Sequence, residues 1–143
     1  MSPRDDVAEL EPVIGAYNAA WNEHDVEAIT AMHAPDMVFC NHTAGERAEG
    51  DAVRGHIAQI FETWPDLRFS TRRLYVREDL VVQEWTAEAT HASRMRRGDL
   101  VAEPTGRKIA WDGLDVIPFE DGLVKRKDVY SDSMSILRQL GLL

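Results

Sequence analysis

Hydrophobic positions change their spacing about halfway along this chain. In the first half they recur every three to four residues. Leu10, Val13, Ile14, Tyr17 and Trp21 fall on one helical stripe, and Val53, Ile57, Ile60, Phe61 and Trp64 on another. Between them, Val26, Ile29 and Met32 suit a shorter helix. Aspartates stand ahead of all three runs, so Asp5 or Asp6, Asp25 and Asp51 are placed to cap the helix N-termini. Ala34-Pro35-Asp36 closes the second helix and Pro65-Asp66 the third. Met37–His42 reads as a short strand, and Thr43–Gly50 as a polar loop.

From Leu67 onward the spacing drops to two. Leu67–Arg77, Leu80–His91, Arg107–Phe119 and Leu123–Tyr130 read as strands. Glu78-Asp79, Arg97-Gly98-Asp99 and Glu120-Asp121-Gly122 separate them, and Asp121-Gly122 is a strong hairpin marker. Asp132 can cap a last short helix that Gly141 stops. Helices followed by a strand meander predict an α+β domain: three helices on a strongly curved antiparallel sheet, with a short C-terminal helix. The 143 residues make one such domain, large enough to bury a core unaided. A curved sheet closed off by helices leaves a cone with a cavity at its mouth.

One position does not fit the apolar pattern. Trp111, Gly113, Asp115, Ile117 and Phe119 share a strand face, and four of the five suit an interior. Burial disfavours a carboxylate, so Asp115 should hold its proton unless a cation or several donors lie close. Protonated, it can donate to a developing enolate oxygen. The alternative is a structural aspartate tied to an arginine or to backbone amides. Tyr17, on the first helical stripe, reads either as core or as a cavity donor. His91 ends its strand, and is either a general base or a half-exposed structural histidine.

Charge and composition narrow the partners. A formal net charge of −9 argues against nucleic acid and against anionic membranes. The run Arg94-Met95-Arg96-Arg97 reads as a solvated hairpin loop. Cys40 is the only cysteine, which excludes an intrachain disulfide and fits a reducing compartment; with no signal-like or membrane-spanning apolar run, a cytoplasmic address is expected. The five histidines show no tight ligand spacing, so no metal site is expected.

Several local signatures then converge. Tyr17 through Trp21-Asn22 with Asp25-Val26, Trp64-Pro65-Asp66-Leu67, Trp85-Thr86 with Thr90-His91, Phe119-Glu120-Asp121-Gly122 and Leu137-Arg138-Gln139-Leu140-Gly141 occur in a fixed order. In order and spacing the chain resembles the SnoaL-like branch of the nuclear-transport-factor-two-like superfamily. The resemblance implies the cone fold, no cofactor, a homodimer and a small apolar organic ligand. Polyketide cyclases of this branch carry an aspartate on the last strand, at the position of Val129. Asp128 is adjacent but would face the other way unless a bulge intervenes. Ketosteroid isomerase places its two oxyanion donors at the positions of Tyr17 and Asp115, and its base at that of Asn41. His91, or a bound water, would then have to move the proton. Asn41, Trp85, Trp111, Val129 and Phe39 complete the expected pocket.

The expected function is an enzyme acting through an enolate on an apolar, carbonyl-bearing ring compound. It would be an isomerase, cyclase or dehydratase. Val129 and Asn41, which cannot move protons, keep a non-catalytic ligand binder as the alternative. A protein-interaction module is a third possibility, and it would need an exposed apolar patch on the outer sheet face.

Overall fold

The computed structural model describes residues 3–143, with side chains from residue 9 onward. The elements are α1 (Pro3–Asn22), α2 (Val26–Ala31), β1 (His33–Asn41), β2 (Glu46–Glu49), α3 (Ala52–Thr63), β3 (Arg68–Arg77), β4 (Leu80–Thr90), β5 (Met95–Arg97), β6 (Leu100–Ala102), β7 (Lys108–Glu120), β8 (Leu123–Ser131) and α4 (Ser133–Gln139). Six strands form one curved sheet in the order β2-β1-β8-β7-β4-β3, and β5 and β6 form a separate hairpin. Helix α1 packs against β3, α3 against β1 and β2, and α4 against β7. The α+β cone is thus the fold, with one correction: the sheet is mixed, because β1 runs parallel to β8. The chain makes β1 before α3 and returns to its side only at the end, so this pair is a crossover and not a hairpin.

Local chemistry explains most element ends. Asp25 and Asp132 cap α2 and α4 by accepting from the Ala28 and Ser135 amides, each at 3.0 Å. Asp51 departs from expectation: it makes no side-chain cap bond to α3. Helix α1 starts at Pro3, ahead of Asp5 and Asp6, whose side chains lie outside the described residues. β1 begins at His33, four residues before the predicted strand, and part of the expected polar loop forms the edge strand β2. The hairpin β5–β6 also departs from the sequence reading. Met95 is buried and Arg97 half-buried, so the basic run is not simply solvated.

A bulge in β8 decides what enters the core. Phe119 pairs with Val124, whereas Val116 pairs with Asp128, so β8 has one more residue than β7 across this stretch. Val124 is buried. Strict alternation from it would send Arg126, Asp128 and Tyr130 inward. The extra residue reverses the parity, and Lys127 and Val129 are the buried ones. A second irregularity lies in β3 between Thr71 and Arg73. Gly113 serves packing in another way. It pairs with Trp85, and a Cβ there would lie 2.1 Å from the Trp85 indole. The ring therefore lies across a bare backbone, which only glycine provides.

Candidate active site

The helices and the inner face of the sheet enclose a cavity of about 130 Å³. Trp21, Phe39, Trp64, Trp85 and Trp111 give it aromatic walls. Glu46 and Thr71, both exposed, mark where it meets solvent. Its chemistry is concentrated in one row across the sheet. Gln83 pairs with Asp115, Asp115 with Val129, and Val129 with Asn41, so β4, β7, β8 and β1 each supply one side chain to the same line. All four line the cavity. Asn41, Trp85, Trp111, Val129 and Phe39 all line this cavity. Trp64, for which plain core is the better reading by sequence, lines it too.

Asp115 is 3% exposed and anchors a polar chain. Asn18 and Gln83 exchange amide hydrogen bonds at 2.8 and 3.1 Å. Gln83 Nε2 then donates to Asp115 Oδ2 at 3.0 Å, and Lys127 Nζ stands 3.9 Å from the same oxygen. Asp115 Oδ1 is buried with no hydrogen-bond partner. The expectation of an isolated, protonated carboxyl rested on no cation being near. The fold supplies one, and a neutral donor as well. Asp115 is thus held at one oxygen and free of partners at the other.

Lys127 is 6% exposed. Its ammonium sits 3.9 Å from the Trp21 ring centre, 5.1 Å from that of Tyr17 and 5.5 Å from that of Phe39. Burial pushes its pKa down, and the charge of Asp115 offsets this only in part.

Tyr17 and His91 are not brought to the cavity wall. The Tyr17 ring is fully buried, and its hydroxyl is hydrogen-bonded to His33 Nε2 at 2.9 Å. Burial raises the Tyr17 pKa. Burial, followed by the charge of Lys127, lowers that of His33 to about 4, so this pair stays neutral at pH 7. Tyr17 therefore stands behind Lys127, with its hydroxyl paired to His33. His91 is fully buried, not half-exposed. Its Nδ1 accepts from the Thr105 amide at 3.2 Å and lies 3.1 Å from the Thr105 hydroxyl, while Trp64 stacks near it at 5.4 Å. Burial lowers its pKa, which suits a neutral ring tying β4 to the β6–β7 connection.

The cavity wall carries a second set of opposite charges. Arg97 from the β5–β6 hairpin and Glu46 from β2 both line it. Arg97 Nε is buried and unpartnered, and Nη1 reaches Ser133 Oγ at 3.4 Å. Burial lowers the Arg97 pKa, and the charge of Glu46 opposes the shift. Asn41 is partly committed, because its Oδ1 accepts from the Ala44 amide at 3.0 Å.

Asp128 stays on the outer face. It binds His42 Nε2 and Arg126 Nε, each at 2.7 Å. Ligand-type atoms of Cys40, His42 and Asp128 lie within 4.8 Å of one another there. Sequence spacing hides this group because two strands supply it. Among the described residues no helix is long and apolar enough to cross a membrane.

Residues 11–140 match the family model for SnoaL-like polyketide cyclases, and the chain belongs to that family. Among solved structures, AclR of Streptomyces galilaeus shares 24% identity at a TM-score of 0.81, over 96% of this chain and 98% of that one. TsrD of Streptomyces laurentii shares 23% at 0.79, over 95% and 97%. TerC, crystallised with polyporic acid, shares 18% at 0.72, over 93% and 98%. At these identities the likeness establishes the fold. No protein of curated function matches the sequence.

Proposed function

We propose that the protein is an enzyme of proton transfer next to a carbonyl, acting on a small, mostly apolar, polyketide-like ring compound in an isomerisation, cyclisation or dehydration. One observation carries the reading. Asp115 lines the cavity with Oδ1 buried and free, while Gln83 holds Oδ2 at 3.0 Å. A carboxylate fixed in this way is a positioned base: it can take a proton from a carbon beside the carbonyl and return it elsewhere. Lys127, in the same wall, supplies positive charge for the enolate oxygen that develops. Trp85, Trp111 and Phe39 would hold the ring, and Asn41 would orient it. The reaction requires no cofactor, because the groups present can stabilise the charge. Tyr17 supports Lys127 from behind, and His91 supports the wall through Trp64.

The family membership and TerC's crystallisation with a small organic acid support a small-molecule site. The proposal places the enzyme in the cytoplasm, as a homodimer joined through the outer sheet face. Tyr75 and Tyr130 are each 47% exposed there, and sedimentation analysis would test that point.

The test is deuterium exchange. Enolisable cyclic ketones and β-diketones are incubated with the protein in D2O, and exchange at the α-carbon is followed by NMR. Exchange that Asp115→Asn abolishes supports the reading. Saturable binding with no exchange above the uncatalysed rate would leave the binding-only alternative, which the inert Val129 favours.

A further inference from the structure

We infer that Lys127 is a nucleophilic amine that captures carbonyl compounds as imines inside the cavity. This goes beyond an electrostatic role for the residue, and it rests on the proposed function only in taking the same cavity as the substrate site.

The geometry is that of an amine kept from ordinary partners. Lys127 Nζ lines the cavity and makes no hydrogen bond among the described residues. Its surroundings on α1 and β1 are ring faces, those of Trp21, Tyr17 and Phe39. The titratable groups around it are Asp115 on β7, Tyr17 on α1 and His33 on β1, and the last two form the neutral pair described above. Asp115 is the one counter-charge, and 3.9 Å is too long for a hydrogen bond. Such a site favours the neutral amine more than water does, in keeping with the lowered pKa of Lys127.

The step balances without any oxidant or reductant. Asp115 takes a proton from the ammonium. The amine nitrogen attacks the carbonyl carbon, the carbonyl π pair moves to oxygen, and a proton passes from the nitrogen to that oxygen. The carbinolamine hydroxyl then takes the proton held by Asp115 and leaves as water, while the nitrogen lone pair forms the C=N bond. Ammonium plus carbonyl thus give a protonated imine plus water, and Asp115 is a carboxylate again. Removal of the adjacent carbon proton by its free oxygen would then give an enamine, the neutral counterpart of an enolate. One carboxylate 3.9 Å from the amine can serve each of these transfers.

The chain offers its own controls, since its only lysines are Lys108, Lys125 and Lys127, and the first two are exposed. The wild-type protein is treated at neutral pH with limiting benzaldehyde and sodium cyanoborohydride, which reduces iminium ions to stable amines. Peptide mass mapping then locates the benzyl groups. Lys127, whose surroundings favour the neutral amine, should therefore be labelled faster than Lys108 and Lys125, and Lys127→Met should lose that label alone. Labelling of Lys127 no faster than of the two exposed lysines in the wild-type protein would overturn the proposal, whether or not the variant folds. The trap needs only an open cavity and a reactive amine. It can succeed where α-carbon exchange fails, or fail where exchange succeeds, so the two proposals stand or fall separately.

Discussion

The two faces of the β7–β8 ladder carry nearly the same charged groups in opposite condition. On the outer face, Asp128 has a partner on each oxygen, His42 and Arg126, both at 2.7 Å. On the inner face, Asp115 has one oxygen held, one free, and its cation at 3.9 Å. The outer carboxylate is satisfied and partly screened by solvent, so it has little left to do. The inner one is desolvated and underbonded, which is costly in a core and useful in a site. Location relative to water, and not residue type, separates the structural pair from the reactive one.

Breaking each side in turn should give the largest contrast. Asp115→Asn should reduce α-carbon exchange by about 10²–10⁴-fold, the range for losing a positioned base. Asp128→Asn should leave the rate within about twofold, and NMR exchange rates report both. A large loss from Asp128→Asn would dissolve the distinction between the faces.

Stability should show the same asymmetry. Lys127→Met leaves a buried carboxylate without its cation and should cost about 3–5 kcal/mol in urea unfolding. The double change with Asp115→Asn should recover most of that. The outer pair should contribute about 0.2–1 kcal/mol, as exposed ion pairs do. For Asp128, burial, which would raise its pKa, is outweighed by the hydrogen bonds from Arg126 and His42, and the net shift is downward. Its contribution is therefore present above the ordinary carboxylate range and is lost as pH falls through the lower folded value.

Packing offers a smaller test. Gly113→Ala places a methyl in the Trp85 ring and should cost about 1–3 kcal/mol while narrowing the cavity. Urea midpoints and tryptophan fluorescence would read it.

A further test concerns pH. His33 is held neutral with a pKa near 4, against 6.5 in the unfolded chain. The unfolded state thus binds more protons between these values, and stability falls as pH drops from 6.5 toward 4. His33→Gln should flatten that slope in a series of urea midpoints.

Much of this was legible in the sequence. Element order and local signatures carry the fold, and alternation along residues 111–119 carries the inward aspartate. The pocket's aromatic wall follows from the same periodicities. Lys127 did not show, for a definite reason. Counted from Val124, apolar alternation sends position 127 outward, and the bulge that reverses this leaves no composition mark; only the pocket position that the resemblance gives Val129 carries the inward parity. Arg97 was hidden differently, because a basic run beside Gly98 looks solvated until the β5–β6 hairpin folds it over the cavity. Gln83 and Asn18 are ordinary amides in sequence and acquire meaning only through Asp115. Tyr17 and His91 lie near the site but point their polar atoms elsewhere, and spacing cannot reveal that.

The cavity lining balances its charges, Asp115 and Glu46 against Lys127 and Arg97, within a chain whose formal net charge is −9. It is therefore an electrically balanced chamber inside an acidic shell. An uncharged ketone meets no net field on its way in, so its uptake should not respond to ionic strength. An anionic acid must cross the repulsion of the shell, which salt shortens to about 8 Å under physiological conditions. The arrangement sorts small molecules by charge before any contact with the site is made.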